Sequence, residues 1–462
     1  MGKPRVLFVE PLGAQSNIFA KFMTIPLLGP LHLSTIAKRD GFDVSIINEN
    51  LLRRKIDDSE LKRADILCLS CITATVNRGH EIAGRYKQIR QNIGAPAKTI
   101  IGGIHASMLP EDPGPNFDQV VCGEAESIIL PLLEGAFKER IVKGTRLKDL
   151  DSIPVPDFTL IKNHSKINIL PVMTSRSCPY HCNFCSVTRM FGKEYRTQSV
   201  PRVMEELLSY KKGMSIFFVD DNFAAIPSRT HQLLDQMIKS GFRRYWTAQV
   251  RTDASRDLEM VKKMKATGCQ VVYIGLESIN PGSLQKMQKK QSLEDIKRSI
   301  RVFQSCGIQV HGMFMLGNDP DSHEIFQSTS SFSLKNHLDF VQYSVLTPLP
   351  GTELYDEICS QKRLLHKNWN LFDGLHVVFK PKQMSPAQLQ SGMISCFKSF
   401  YSYTHAVKDF LFSGTKALKS LRLGQIGPTF YKTVIKLIGR SILNSWIHYN
   451  RAYLTYLNNL RE

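Results

Sequence analysis

Short apolar runs alternate with amphipathic helical stretches twice over in this chain, and that alternation restricts it to parallel α/β architecture. In the first series, residues 5–9, 43–47, 66–70, 98–101 and 119–121 read as strands, and residues 29–39, 76–91 and 124–137 as helices. The pattern predicts a doubly wound, flavodoxin-like sheet over residues 1–140, with ligand-binding loops at the carboxyl ends of its strands. Residues 141–168, with Pro154 and Pro156, read as a linker. The second series, over residues 169–380, has strands at 167–174, 215–220, 245–250, 271–276, 309–316 and 340–346. Helices at 200–211, 228–239, 257–267, 293–306 and 323–336 lie between them. Six β/α units with right-handed crossovers curl into a partial (β/α)6 barrel. From 381 to 462 the strand signal is lost, and a helical region broken near Gly424, Gly427 and Pro428 is expected.

After the first strand of the second series comes Ser177-Cys178-Pro179-Tyr180-His181-Cys182-Asn183-Phe184-Cys185. This C-x3-C-x2-C loop presents three thiolates to three corners of an iron–sulfur cube and leaves the fourth iron open to a small molecule. It falls at the C-terminal mouth, where barrel active sites are built. Zinc would need a second ligand pair at C-x2-C or H-x3-H spacing, and none stands nearby. The chain has ten cysteines. Cys68, Cys122, Cys269 and Cys306 sit in or beside apolar runs and are expected to be buried thiols, while Cys359 and Cys396 fall on helical stretches without a spacing signal. No disulfide framework is expected.

No run of 18 apolar residues suggests a membrane span. The N-terminus enters a strand at 6–9 without a signal-peptide core, which suits a reducing cytoplasm. The formal charge of +19 implies an anionic partner or surface. Nucleic acid is disfavoured by the lack of any RRM, zinc-finger or helix-turn-helix signature. From 408 to 462 nine Lys/Arg face only Asp409 and Glu462. Leu437, Ile438, Ile442, Leu443, Trp446 and Ile447 recur there at helical spacing, among Lys432, Lys436, Arg440 and Arg451. Such a helix either lies peripherally on a membrane, with Trp446 at the interface, or packs on the barrel with a solvated basic face.

The cysteine loop, with Phe184 before its third cysteine, resembles the radical S-adenosylmethionine superfamily. The segments CSVTRMFG (185–192), FFVDDNF (217–223), WTAQVR (246–251), YIGLES (273–278), HGMF (311–314) and LTPLPG (346–351) extend the likeness. They resemble its subgroup with an N-terminal cobalamin-binding domain, which includes hopanoid methylases and the anaerobic cyclase of chlorophyll synthesis. The resemblance implies that Cys178, Cys182 and Cys185 hold a [4Fe-4S] cluster. Its open iron would take the amino and carboxylate groups of S-adenosylmethionine, and one electron would release a 5′-deoxyadenosyl radical that abstracts hydrogen from an unactivated carbon. It further implies that Phe184 lies near the adenine. Asp220, Asp221 and Asn222 would accept from the methionine ammonium, Gln249 would contact S-adenosylmethionine beside Arg251, which would pair with the methionine carboxylate, and Glu277 would suit the ribose hydroxyls.

Cobalamin would contact the loops after the first, third, fourth and fifth strands, at Leu12, Gly13 and on to Gln15, at Ser70, Thr73 and Thr75, at Gly102, Gly103 and His105, and at Gly123 and Glu124. The Asp-x-His-x-x-Gly run of classical cobalamin proteins is absent. Either the base is tucked away with no histidine below cobalt, or the cofactor has been lost. The implied reaction is methyl transfer or oxidative ring formation on a lipid, isoprenoid or tetrapyrrole-type small molecule, with flavodoxin or ferredoxin as electron donor. The alternative is a tRNA-modifying, methylthiotransferase-like enzyme. That reading asks for three further N-terminal cysteines in a cluster and a C-terminal β-barrel, against Cys68, Cys71, Cys122 and a helical tail here.

Overall fold

The computed structural model describes residues 2–13, 25–211, 213–405 and 428–460. Strands β1 (Arg5–Glu10), β2 (Asp43–Asn48), β3 (Ile66–Ser70), β4 (Lys98–Gly102), β5 (Gln119–Cys122) and β6 (Ile141–Lys143) form one parallel sheet in the order β2-β1-β3-β4-β5-β6. Helices cover both faces of this sheet, so its central strands are apolar almost without interruption: five of the six residues of β1 are buried. Helices Leu28–Arg39 and Val76–Asn92 are two of the crossovers. This part of the chain is parallel α/β, as expected.

Two departures occur near the end of this sheet. The stretch expected to be linker opens with β6, whose three residues pair with Val120, Val121 and Cys122. The helix expected over 124–137 shrinks to Ile129–Leu133. Gly123 turns the chain at φ 84°, and the Glu124 carboxylate is drawn into ion pairs with Arg176 and Arg196, so residues 124–128 stay irregular.

The second sheet contains β7 (Ile169–Val172), β10 (Ser215–Phe218), β11 (Trp246–Val250), β12 (Cys269–Glu277), β13 (Gln309–Leu316) and β14 (Phe340–Val345), parallel and in chain order. The short strands β8 (Ser175–Arg176) and β9 (Arg196–Thr197) pair with each other antiparallel. Along β13 the residues beneath the helices, Val310, Gly312, Phe314 and Leu316, are buried, while His311, Met313 and Met315 are half-buried on the lumen face. That two-residue alternation marks a barrel wall. Helices Val200–Ser209, Pro227–Lys239, Leu258–Ala266, Leu293–Ser305 and Ile325–Lys335 cover the outside. Trp246 is fully buried there, with Nε1 donating to the Thr267 carbonyl at 3.1 Å and Phe218 packed edge-on at 5.2 Å.

Glu206, on helix Val200–Ser209, is buried and accepts from the Tyr210 hydroxyl at 2.8 Å. Burial pushes its carboxyl from 4.5 up to about 7, against the pull of Tyr210 and Arg202. A carboxyl raised by folding contributes its full stability below the unfolded pKa and loses it as pH rises through the folded one. Between pH 4.5 and about 8, the stability difference between the parent and Glu206→Gln should therefore fall by roughly 3 kcal/mol. Denaturant titrations at several pH values measure it; a difference that does not change with pH would show that the carboxylate stays ionised in its site.

Beyond the barrel, helix Pro386–Phe400 packs on β14, and helices Pro428–Tyr449 and Arg451–Asn458 pack on Pro386–Phe400. Leu443 and Trp446 are buried, Lys436 lies over the Phe400 ring at 4.7 Å, and Trp446 packs beside His376. Trp446 is therefore a core residue rather than an interfacial anchor, while Leu437 and Ile438 remain exposed. The break expected at Gly424 and Gly427 lies outside the described residues. Among the described residues no helix is long and apolar enough to cross a membrane. Cys68, Cys269 and Cys396 are buried, but Cys122, Cys306 and Cys359 only partly so.

Candidate active site

The β8–β9 pair makes the neck of the cysteine loop. At its start Ser177 adopts a left-handed φ of 78°, and its hydroxyl donates to the Gly192 carbonyl. Holding a non-glycine residue there costs energy that the neck contacts offset. Cys178, Cys182 and Cys185 are free and half-buried, and the Cys185 amide donates to the Cys182 carbonyl at 3.1 Å. Asn183 fixes the loop to the barrel mouth: its side chain donates to the Lys286 carbonyl at 3.0 Å, and its own carbonyl accepts from the Leu354 amide at 3.1 Å. Burial pushes the Cys178 thiol up, and that of Cys185 to about 12. Iron coordination displaces those protons. Among the described residues no three His, Cys, Asp or Glu are gathered around one ion. Thiolates that each serve a separate iron need no such convergence. The donor set fits a cluster with one iron left open.

The residues expected around S-adenosylmethionine occupy distinct environments. Asp220 is buried and accepts from the Thr174 amide at 2.9 Å and from the hydroxyls of Thr174 and Ser175. Asn222 is also buried, and its carbonyl accepts from the Tyr195 hydroxyl. Of the three, only Asp221 lines the large cavity described below. Burial, with the Asp220 charge added, raises it to about 7. Gln249 is half-buried on the lumen face at the end of β11. The Arg251 guanidinium lies 3.7 Å over the ring of Tyr180, within the cysteine loop, and donates to the Lys289 carbonyl at 2.6 Å. Phe184 packs half-buried against the barrel core. Glu277 ends β12 with φ 59° and is ion-paired with Lys289 at 2.6 Å. Gly275 makes room for that pair, since a Cβ there would lie 2.4 Å from the Glu277 carboxylate.

A cavity of about 270 Å³ separates the carboxyl ends of β3, β4 and β5 from the barrel mouth. Ser70, Gly102, Gly103, Gly123 and Glu124 line it from one side, and Met173, Ser175, Arg176, Val219 and Asp221 from the other. Gly103, at φ 95°, sits so close to the Cys71 backbone that a Cβ would stand 2.6 Å from its carbonyl oxygen, so the floor is bare backbone. A space of this size is too small for a whole corrinoid, but a glycine floor between two strand-end faces would admit a flat edge of one. The other residues expected at cobalamin do not line the cavity. The amides of Leu12 and Gly13 donate to the side chains of Glu49 and Asn50. Thr73 and Thr75 are buried in a 3-10 turn, where Thr75 accepts from the Ile72 amide. His105 is fully buried, with Nε2 at 3.0 Å from Asp112 and its ring edge-on to Trp369. Gln15 lies outside the described residues.

Among the cavity residues that sequence reading missed are three that carry charge or titrate: His32, Glu126 and Arg176. Arg176 pairs with both Glu124 and Glu126, and Arg196 pairs with Glu124, so one buried ion network joins the loop after β5 of the first sheet to the β8–β9 neck of the cysteine loop. Burial, together with the charges of Arg176 and Arg202, lowers His32 to about 3 and keeps its ring neutral. Nothing local in the sequence signals these pairs, because the partners lie 50 to 72 residues apart.

A three-cysteine loop at the mouth of a partial barrel, facing the strand ends of a second parallel sheet, defines a two-domain cofactor enzyme. A model of the radical SAM superfamily matches residues 172–328, and a model of the B12 binding domain matches residues 23–133. The chain is 31% identical to the hopanoid C-3 methylase of Methylococcus capsulatus over 395 residues, covering 78% of this chain and 74% of the relative. It is 27% identical to the bacteriochlorophyllide d C-12(1)-methyltransferase of Chlorobaculum tepidum over 417 residues, covering 87% and 88%. The cobalamin-dependent S-adenosylmethionine radical enzyme OxsB, solved with aqua-cobalamin bound, superposes with a TM-score of 0.69 at 14% identity, covering 97% of this chain and 81% of that one. The chain belongs to the cobalamin-binding radical S-adenosylmethionine enzyme family. Its cofactors are a [4Fe-4S] cluster, S-adenosylmethionine and cobalamin. These matches give no support to the tRNA-modifying alternative.

Proposed function

We propose that this enzyme transfers a methyl group to an unactivated carbon of a lipid, isoprenoid or tetrapyrrole-type substrate held between its two sheets. One observation carries the reading: Asp221 of the barrel and the glycine floor of the N-terminal sheet line a single cavity. The relatives named above, a hopanoid methylase and a bacteriochlorophyllide methyltransferase, support the substrate class.

In this reading residues 1–140 carry cobalamin and residues 169–380 carry the cluster on Cys178, Cys182 and Cys185. When bound, the three cofactors supply the radical and the transferable methyl group. The protein's part is to bind, orient and exclude water. Arg251, whose Nε is buried without a partner, offers that N–H to the methionine carboxylate. Asp221 accepts from the ammonium; Asp220 and Asn222, buried beneath it, set its position. Phe184 and Gln249 flank the adenosine, and Glu277, oriented by Lys289, takes the ribose hydroxyls. The largely apolar wall around Met173, Val219 and Leu69 keeps water from a reactive intermediate. A flavodoxin or ferredoxin is the proposed electron donor. The proposed setting is the cytoplasm, with peripheral membrane contact where Leu437 and Ile438 stand exposed on a basic C-terminal region.

The test is an anaerobic reaction of the reconstituted enzyme with methyl-deuterated S-adenosylmethionine, a low-potential reductant, and lipid and pigment extracts from a host lacking the gene. The expected result is a labelled methyl group in one compound class, together with 5′-deoxyadenosine. Deoxyadenosine with a product that has lost hydrogen and gained no label would replace methyl transfer with oxidative ring formation.

A further inference from the structure

Two buried polar atoms on the cavity wall have no hydrogen-bond partner: Nδ1 of His32 and Oε2 of Glu126. His32 is 3% exposed and the Glu126 side chain 7%. Both flank Arg176, whose guanidinium donates to the other oxygen of Glu126. An orphaned buried polar atom costs about 1–3 kcal/mol, and of those among the described residues these are the two that line this cavity, where a ligand would satisfy them. The rest of this wall is mostly apolar, with Phe8, Leu28, Pro30 and Leu33 beside His32. What is missing is a group that brings N–H donors.

We propose that His32 and Glu126 read the primary carboxamide groups on the rim of the corrin, and so distinguish an amidated corrinoid from one that carries a free acid there. The proposal rests on the reading that the corrinoid lies in this cavity. A primary amide has two N–H donors and one carbonyl acceptor. With its proton on Nε2, the neutral His32 ring presents Nδ1 as one acceptor and Glu126 presents Oε2 as another, and the two N–H groups of one amide satisfy both. A carboxylate in the same place has nothing to donate and meets Glu126 with like charge. Rejection of that kind is steep, because it leaves buried polar groups unpaired. The cavity would therefore take up finished, amidated corrinoid and turn away incompletely amidated precursors.

The experiment measures binding, not turnover. The full-length protein, loaded with its cluster, is titrated with cobinamide, which lacks the nucleotide tail, and with the separated cobinamide monocarboxylates in which one amide has been hydrolysed. Retention is read from corrin absorbance after equilibrium dialysis. At least one monocarboxylate should bind about tenfold or more weakly than the parent amide. Glu126→Gln should remove that preference, and His32→Phe should weaken the parent amide without improving the acid. Equal binding of every monocarboxylate by the parent protein overturns the proposal without any variant having to fold. So does a preference that survives in Glu126→Gln, or a His32 effect seen with cobalamin but not with cobinamide, which would assign the wall to the nucleotide tail. If no corrinoid is retained at all, the location of the cofactor falls too. If corrinoids are retained without discrimination, only this inference does.

Discussion

Replacing Cys182 with alanine should abolish the charge-transfer absorbance of the reconstituted protein and reduce cleavage of S-adenosylmethionine to background, a loss of three orders of magnitude or more. Three thiolates are the entire protein ligand set in this loop, so losing one leaves two irons open and the cluster held at only two corners. The fold should not change. Cys182 is partly exposed at a loop position, and truncating it removes no buried packing, so stability should shift by less than about 1 kcal/mol. Cys306→Ala and Cys359→Ala are controls: both thiols are half-buried and far from the loop in sequence, and both variants should keep the full absorbance. Iron and sulfide content, visible absorbance and far-ultraviolet circular dichroism, all measured anaerobically, separate loss of the cluster from loss of the fold. A triple variant of Cys178, Cys182 and Cys185 that still held four irons would show that the cluster sits elsewhere.

What could be read without coordinates was what is local or periodic. The cysteine loop is contiguous, and the barrel strands announce themselves as alternating or continuous apolar runs flanked by helical patterns. The segments at 217–223 and 246–251 correspond to the ends of β10 and β11, where Asp221 and Gln249 now stand. Pairings made through space were not legible. β6 is three residues long and exists because β5 offers it an edge. The helix expected from 124 fails because Glu124 finds more favourable charges 52 and 72 residues away. His32 lies within the helix expected over 29–39, and only the fold reveals that a cavity lies against it. Trp446 shows the same limit from the other side. Helical periodicity correctly implied an apolar face, but periodicity carries no information on whether protein or lipid covers it.

The second large effect should come from Glu124. Its side chain is 1% exposed and sits between two guanidinium groups, accepting from Arg176 at 2.6 Å, from Arg196, and from the Leu147 amide at 3.2 Å. Arg176 and Arg196 are themselves buried, so removing the carboxylate strips Arg196 of its carboxylate partner and leaves Arg176 with Glu126 alone in a poorly solvated junction. Glu124→Leu should cost about 3–5 kcal/mol, the penalty for stranding a buried charge rather than the worth of the pair. Two further measurements separate this from a surface effect. The loss should persist at high salt, because buried pairs are little screened. In a double-mutant cycle, Glu124→Leu with Arg196→Met should recover part of it, with a coupling of roughly 1–3 kcal/mol. Corrinoid retention decides between the two roles open to this residue. If Glu124 holds the β8–β9 neck against the first sheet, retention and stability should fall together, and Glu124→Gln, which keeps the shape but not the charge, should show a smaller loss of both. If its carboxylate instead contacted the cofactor, affinity would drop in a protein as stable as the parent. Its ligands are already three protein donors, so we expect the first outcome; a Glu124→Leu protein within 1 kcal/mol of the parent would rule that out.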